Sequence, residues 1–247
     1  MARLEEDAVI YVSSRGQSEK NVFQIHLSNP IMLSEALNFE IAAIKIQYPS
    51  SYNNVTHGHI NYYSHIRKKR TFSRIPDGYY PDPESFIKAF QKVLGKDSEH
   101  YPLTYVPDSK IFLIQLQDDK SFMHLSQNLT KLCGLPSRIK GERFHKGETT
   151  WEPTGGNSTL HLLCSIASLV HVNQTKKPLI LSTSFGAGQK AESQIQYEPQ
   201  NPIYTPIHEK QIQSIEMTLQ NEHGEPFPFL SGDVTVTLHI RPASPRL

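Results

Sequence analysis

Histidine is the residue type in this 247-residue chain whose clustering first suggests chemistry. His57-Gly58-His59, with His65 nearby, is the one stretch in which imidazoles lie close together in sequence. A metal site needs three or four ligands at a regular spacing, and this cluster lacks a third ligand with a helical or strand period. The sequence therefore predicts no metal site here, and a loop that carries histidines is the simpler interpretation.

A glycine-containing segment is the second candidate for chemistry. Phe185-Gly186-Ala187-Gly188-Gln189-Lys190 has the glycines and the lysine of a phosphate-binding loop, but it lacks the GxxxxGK[ST] spacing and a following helix. The chain also contains no GxSxG, HExxH or DFG motif. We therefore expect a non-enzymatic protein with no catalytic residues, no bound cofactor and no metal. A serine–histidine–aspartate site built from unmarked residues is the alternative that sequence leaves open.

The third candidate is a basic run, Arg67-Lys68-Lys69-Arg70, with Arg74 just beyond it. Three interpretations remain open for the run: a solvated loop, a nuclear-import signal, and a contact to packaged nucleic acid. The whole chain has 25 Lys+Arg against 24 Asp+Glu, a net charge of +1. This balance argues against a protein whose entire surface binds nucleic acid, so any basic site must be local.

The cysteines and the apolar runs indicate the compartment. Cys133 and Cys164 lie among leucines, and we predict that both are buried free thiols. The N-terminal sequence Met1–Asp7 has no signal-peptide core, and no apolar run approaches the roughly 18 residues of a membrane span. These patterns favour a protein that stays in a reducing compartment and does not span a membrane.

The most regular elements lie near the C-terminus. Residues 215–219 alternate between apolar and polar, and residues 233–241 do so without a break, the period-two pattern of half-buried strands. A turn at 221–226 separates them. In the second strand Val234, Val236, Leu238 and Ile240 point to one side, and Thr235, Thr237, His239 and Arg241 to the other. Such an apolar face must be covered by a second sheet.

Shorter patterns predict the rest of a β framework. We predict strands at 22–27, 38–48, 60–66, 159–166, 169–172 and 179–185, and either a strand or an ordered arm at 9–12. The 38–48 strand changes its apolar phase at Ala43-Ile44, which predicts a β-bulge. The 22–27 strand is expected to end at Ser28-Asn29-Pro30, residues 186–198 are expected to form a loop, and residues 197–207 an extended sheet edge.

Between these strands the chain changes character. Asp82 and Pro83 begin a predicted helix that ends at Gly95, residues 104–106 and 111–116 form a predicted hairpin, and a second helix runs from Ser126 to Gly134. We therefore predict a mainly β protein, a single jelly-roll sandwich. Its first part is residues 8–66 and its second part is residues 147–247, with a small α/β insertion at 67–146.

Several of these stretches, in this order, resemble the minor capsid (penton) proteins of Polinton/Maverick-type elements, adintoviruses and virophages. The resemblance is carried by Phe23–Leu27, by the strand that closes on 48–54, by Gly78-Tyr79-Tyr80 before the helix, and by the strands of 215–241. It implies a single jelly roll that assembles as a homopentamer at the vertices of an icosahedral double-stranded DNA virus capsid.

The resemblance also implies partners and a location. The partners would be further copies of the chain and the neighbouring major capsid protein, with a host receptor as a further candidate. The location would be the virion, and the host cytoplasm or nucleus during assembly. The competing hypothesis is a jelly-roll binding module for a receptor or glycan, monomeric or trimeric, in which Tyr79, Tyr80 and Trp151 would line the ligand surface.

Overall fold

The computed structural model describes residues 3–141, 144–172, 174–185 and 194–243, and within them the fold is mainly β, as predicted. The helices are α1 (Pro83–Leu94) and α2 (Gln127–Cys133), and a 3₁₀ helix covers Gly95–His100. The strands are β1 (Ala8–Ser13), β2 (Val22–Met32), β3 (Phe39–Pro49), β4 (Gly58–Ser64), β5 (Lys69–Ile75), β6 (Leu103–Val106), β7 (Ile111–Gln115), β8 (Phe122–Leu125), β9 (Arg138–Lys140), β10 (Phe144–Lys146), β11 (Thr159–Cys164), β12 (Val170–Val172), β13 (Thr175–Lys177), β14 (Leu179–Ser184), β15 (Gln194–Tyr197), β16 (Thr205–Ile207), β17 (Gln211–Gln220) and β18 (Thr235–Pro242).

The chain divides into two compact units. Of the described residues, unit 1 comprises 3–51, 158–185 and 194–243, and unit 2 comprises 52–157. Unit 2 contains the whole range 67–146 and also residues 52–66 and 147–157. The division into a jelly roll of residues 8–66 and 147–247 and an insertion of residues 67–146 stays a prediction.

Unit 1 is built from two antiparallel sheets. The first has the strand order β1-β18-β3-β15, and β16 also pairs with β3. The second has the order β14-β11-β17-β2, and β12 and β13 form a separate small ribbon. Each sheet therefore combines strands that are distant in sequence, so unit 1 forms only when both ends of the chain have come together.

The two sheets of unit 1 bury the apolar faces that periodicity predicted. In β18 the side chains of Val236, Leu238 and Ile240 are fully buried, and β17 buries its own apolar residues in the same way. Side chains from the two sheets meet, since the ring of Tyr48 in β3 lies 5.6 Å from the ring of Phe185, which follows β14. Burial of these faces is the main stabilising contribution to unit 1.

The predicted bulge in β3 is confirmed. Lys45 pairs with Thr237 and Ala43 pairs with Leu238, so Ile44 is the extra residue that has no partner in β18. One extra residue reverses the side on which all later side chains point. The bulge therefore keeps the apolar residues on both sides of it in the core: Phe39, Ile41, Ala43, Ile46 and Tyr48 are all buried.

Thr237 points away from the core, as predicted, and it is also buried, because Tyr11 and Lys45 flank it in the sheet. Two other expectations for unit 1 were wrong. Strand β2 continues through Pro30, which is tolerated because β2 is the last strand in its sheet. Residues 194–197 form β15, which pairs with β3, where a loop was expected.

Unit 2 contains the sheet β5-β4-β8-β9, the sheet β10-β7-β6 and both helices. Helix α1 is confirmed: the Asp82 carboxylate accepts a hydrogen bond from the Ser85 N–H at 2.8 Å, Pro83 opens the helix and Gly95 caps it. The α2 helix and the β6–β7 hairpin are confirmed as well. Phe86, Phe90 and Leu94 of α1 pack into one core with residues from the strands, among them Ile60, Tyr62, Ile75, Met123 and Ile139.

Residues 147–157 close unit 2. The side chain of Asn54 is fully buried; its amide donates to the carbonyl oxygens of Tyr80 and Pro153, and its own oxygen accepts from the Tyr80 N–H. Gly155 has φ of 64°, and a Cβ there would lie 2.1 Å from the Asn54 carbonyl oxygen, so only glycine fits. Residues 147–157 therefore belong to the packing of unit 2, and β10 directly precedes them.

Candidate functional site

The basic run lies at the turn between β4 and β5. Arg67 and Lys68 form the turn, Lys68 with φ of 51°, and Lys69 and Arg70 begin β5 opposite Ser64 and Tyr63. Arg67 is held in place: its guanidinium lies 2.9 Å from a carboxylate oxygen of Asp97 and donates to the Lys96 carbonyl oxygen. The import and nucleic-acid roles of Arg67, Lys68, Lys69 and Arg70 stay predictions.

Arg67 stabilises the fold because it neutralises the buried carboxylate of Asp97. The Asp97 side chain is buried, and its second oxygen accepts a hydrogen bond from the hydroxyl of Tyr62 at 3.0 Å. A buried carboxylate requires a nearby opposite charge, and Arg67 supplies it at the protein surface. Burial, and next the hydrogen bond with Asp97, raise the pKa of Tyr62, so this phenol stays a proton donor to the carboxylate.

One face of the β5-β4-β8-β9 sheet packs on the core of unit 2, and the other face, called the open face below, carries no buried residue. In an antiparallel sheet, residues that pair directly across strands point to the same side. The registers of the three strand pairs therefore define the members of the open face. These are His59, Asn61, Tyr63, Arg70, Phe72, Arg74, Phe122, His124, Arg138 and Lys140.

The cations of the open face occupy its two edges. Arg70 and Arg74 lie on the edge strand β5, and Arg138 and Lys140 lie on the opposite edge strand β9. Arg74 forms a salt bridge with Asp77 at 2.6 Å, and the His57 N–H donates a hydrogen bond to the same carboxylate. Burial raises the pKa of Asp77, but these two contacts outweigh burial and lower the pKa overall. Within the described part of the chain, no carboxylate forms a salt bridge with the other three cations.

Aromatic rings lie on the β5 edge and on the two strands between the cationic edges. The ring of Phe72 is 66% exposed and its centroid lies 5.1 Å from that of His59. The rings of Tyr63 and Phe122 stack at 5.7 Å with 21° between their planes, and His124 meets Phe122 edge-on at 5.5 Å. The open face thus combines flat π surfaces with positive charge.

The histidine cluster does not come together as one group. The rings of His57 and His59 stack at 6.4 Å, while His65 follows the other end of β4, about 20 Å away along a strand of this length. Over residues 3–141, 144–172, 174–185 and 194–243, no group of three or more His, Cys, Asp or Glu side chains could hold a metal ion. Most of the glycine-containing segment, residues 186–190, lies outside the described residues.

The rings proposed for a ligand surface have other contacts. Trp151 packs against Phe112 at 5.5 Å in the core of unit 2, and Tyr80 packs edge-on against Phe86 at 6.0 Å. Tyr79 lies 5.5 Å from Tyr52. Each of these half-buried rings contacts a different neighbour within unit 2. The binding module stays a prediction.

The two cysteines are buried free thiols, as predicted. Burial raises the pKa of Cys133 to about 12 and that of Cys164 to about 11, so neither is a thiolate near neutral pH. Neither helix of the described chain has the length and apolar character that crossing a membrane demands.

With this geometry in view, the chain can be compared with known proteins. No family model matches it, and no curated protein does. Among solved structures, it is similar to the crystal structure of the mavirus penton protein, with a TM-score of 0.50 and 10% sequence identity. The similarity covers 97% of this chain and 100% of that chain. At this identity the comparison shows the fold: this chain has a penton-like, mainly β fold.

Sequence reasoning singled out the basic run but missed most of the open face. Strand β5 was not predicted, because its inward side carries the small polar residues Thr71 and Ser73 while Phe72 points outward. The short strands β8 and β9 were missed too. The signal that could have revealed β5 is the strict alternation of large and small side chains from Arg70 to Arg74.

Proposed function

We propose that this chain is a non-enzymatic structural virion protein, a penton protein that forms homopentamers at the vertices of an icosahedral double-stranded DNA virus capsid. The observation that carries the proposal is the fold shared with the mavirus penton protein over almost the full length of both chains. The resemblance of the 23–54, 78–80 and 215–241 stretches to penton proteins of Polinton/Maverick-type elements, adintoviruses and virophages supports the same assignment.

The strand order of unit 1 supports a single jelly roll. Taken in chain order, its principal strands are β1, β2, β3, β11, β14, β15, β17 and β18. They lie in the orders first-eighth-third-sixth and fifth-fourth-seventh-second in the two sheets. Two four-stranded antiparallel sheets connected in this alternating way are the arrangement of a jelly roll. Unit 2 is then an insertion between the third and fourth of these strands.

The exposed edge of unit 1 supports the proposed assembly. Strand β1 ends the first sheet, and its outward residues Val9 and Tyr11 are 50% and 73% exposed. An exposed apolar edge strand is a template for another chain, and closed cyclic symmetry covers such surfaces without forming open filaments. The proposed partners are four further copies, the neighbouring major capsid protein and a host receptor. The proposed location is the virion, after assembly in the host cytoplasm or nucleus.

Native mass spectrometry of the purified protein tests the assembly. We expect a homopentamer with five times the 28.1 kDa mass of the chain. A stable trimer, or a monomer at high micromolar concentration and low salt, would contradict the proposal.

A point variant locates the contact. Tyr11→Ser should raise the concentration at which the ring dissociates by about tenfold or more, because an exposed aromatic anchor is lost from the interface. Phe144→Ser is the matched control, since Phe144 is 69% exposed on β10 of unit 2. If both variants raise the dissociation concentration of the pentamer equally, β1 is not the contact between subunits.

A further inference from the structure

The open face of unit 2 has a chemistry that neither the fold nor a ring of unit 1 requires. Its cations lie on the two outer strands, and its aromatic rings and histidines lie on and between them. Three gaps of about 4.8 Å separate these four strands, so the cationic rows are about 14 Å apart. A ligand that lies across the sheet would meet positive charge at both sides and π surfaces between them.

The charge on this face is locally unbalanced. Arg70 donates to the neutral amide oxygen of Asn61 at 3.0 Å, and Arg138 and Lys140 are exposed with no carboxylate of the described chain in salt-bridge reach. Lys68, also exposed, extends the positive surface into the turn that precedes β5. In a chain whose net charge is only +1, this concentration of unpaired cations is complementary to a polyanion.

The aromatic residues restrict the kind of polyanion. Phe72 is 66% exposed. Its neighbours on the same side of the strand, Arg70 and Arg74, are exposed as well. A duplex hides the faces of its bases inside the stack and offers such a ring nothing to stack on. Unpaired bases offer a π face next to each phosphate, which is how aromatic platforms with basic borders bind single strands.

We propose that the open face of the β5-β4-β8-β9 sheet binds single-stranded nucleic acid. Bases stack on Phe72 and on the Tyr63–Phe122 pair, and Arg70, Arg138 and Lys140 contact the phosphates. Arg67 is not part of the contact, because its guanidinium neutralises Asp97. This site differs from an import signal, which would need the Arg67–Arg70 run but not the remote residues Phe122, Arg138 and Lys140.

Fluorescence anisotropy with an end-labelled oligothymidine of about 20 nucleotides tests the proposal. The full chain should bind at about 50 mM salt, and Phe72→Ala should weaken binding about tenfold, since a stacked base contributes about that much. Phe72→Trp should restore affinity. Phe144→Ala, which removes an equally exposed phenylalanine from β10, should leave affinity unchanged.

The dependence on salt tests the phosphate contacts separately. For single strands, log K decreases with log salt, and the steepness of this decrease is reduced by about 0.7 for each phosphate contact that is lost. Arg138→Ala and Lys140→Ala should each produce this change, while Lys88→Ala, at an exposed lysine of α1, should not. Each of these three variants loses one positive charge, so a difference between them cannot come from net charge alone.

Three outcomes would overturn the proposal. The first is no binding of oligothymidine at about 50 mM salt. The second is an equal loss of affinity in Phe72→Ala and Phe144→Ala. The third is tighter binding of a duplex of the same length with no sensitivity to Phe72, which would identify a general polyanion surface. Circular dichroism melting of each variant ensures that any lost affinity does not come from unfolding.

Discussion

The outward side of β18 in unit 1 and the open face of unit 2 are both polar sheet surfaces, but they differ in how their polar groups are satisfied. On β18, His239 has the Tyr204 hydroxyl at 2.7 Å and Asp7 at 3.2 Å. Arg241 donates to Glu40 at 2.7 Å, and its guanidinium lies 3.4 Å from the centre of the Tyr204 ring. These outward groups are paired within the chain, whereas three cations of the open face have no carboxylate partner among the described residues, and Phe72 keeps 66% of its surface exposed.

This difference distinguishes polar groups that stabilise the fold from polar groups that are available to bind a ligand. A polar side chain with partners in its own chain stabilises the fold and has little left to offer a ligand. An unpaired cation beside an exposed ring adds little to stability, yet keeps its full interaction energy for a partner. Unit 1 therefore fits a scaffold for assembly, and unit 2 fits a surface that recognises something else.

The largest effect should come from the core of unit 1. Val236→Asp would place a carboxylate at a fully buried position with no cation beside it, and we expect a loss of several kcal/mol in the free energy of unfolding. Thr235→Asp, one residue earlier on the outward side, should cost within about 1 kcal/mol. Urea denaturation followed by circular dichroism measures both.

Val236→Ala keeps this test usable if the aspartate variant does not fold. It should cost about 2 kcal/mol from lost burial and the cavity that remains. Similar losses for Val236→Asp and Thr235→Asp would mean that the two sides of β18 are assigned incorrectly.

The next effect concerns the inner face of the sheet in unit 2. Tyr62→Phe removes the hydroxyl that donates to Asp97, leaving a buried carboxylate with one donor fewer, and should cost about 1–3 kcal/mol. Tyr63→Phe is the control on the open face, since the described residues offer its hydroxyl no partner, and it should change stability by less than about 0.5 kcal/mol. Equal effects in thermal melts would remove the distinction between the faces.

A smaller, pH-dependent effect should come from Glu222 of unit 1. Its carboxylate accepts hydrogen bonds from the Ser158 hydroxyl at 2.9 Å and the Thr159 N–H at 3.1 Å. Burial raises its pKa, but the hydrogen bonds from its own backbone and these two residues outweigh burial and hold the pKa below 4.5. A carboxyl whose folded pKa is lowered stabilises the fold above its unfolded pKa, and this contribution is lost as pH falls through the folded pKa.

Glu222→Gln tests this expectation. Because the carboxylate is partly exposed, the variant should be less stable at pH 7 by no more than about 1 kcal/mol. The difference from the parent protein should shrink as pH falls below the unfolded pKa of about 4.3, and disappear once pH has fallen through the lowered folded pKa. A difference that stays constant with pH would mean that the charge of Glu222 has no role in stability.

The smallest effect should be that of Phe72→Ala on stability. The ring is mostly exposed, so its removal should change the free energy of unfolding by less than about 0.5 kcal/mol. A loss above about 1.5 kcal/mol in urea denaturation would mean that Phe72 belongs to the packing of the sheet and is not held for a ligand.

The sequence predicted those elements whose signals are local. Helix α1 has its cap, its proline and its apolar spacing within thirteen residues, and the phase change at Ala43-Ile44 revealed the bulge. Strand β15 was missed because Gln194–Tyr197 alternates between exposed and half-buried residues and has no apolar face; it forms only by pairing with β3. The open face was missed for a related reason, since its residues come from four strands that only the fold assembles.

The arrangement of the copies is the central claim, and images of negatively stained particles of the purified protein test it most directly. We expect two-dimensional class averages with five-fold symmetry, in rings whose subunits each correspond to one 28.1 kDa chain. Averages that show isolated subunits or three-fold particles would contradict the proposed penton.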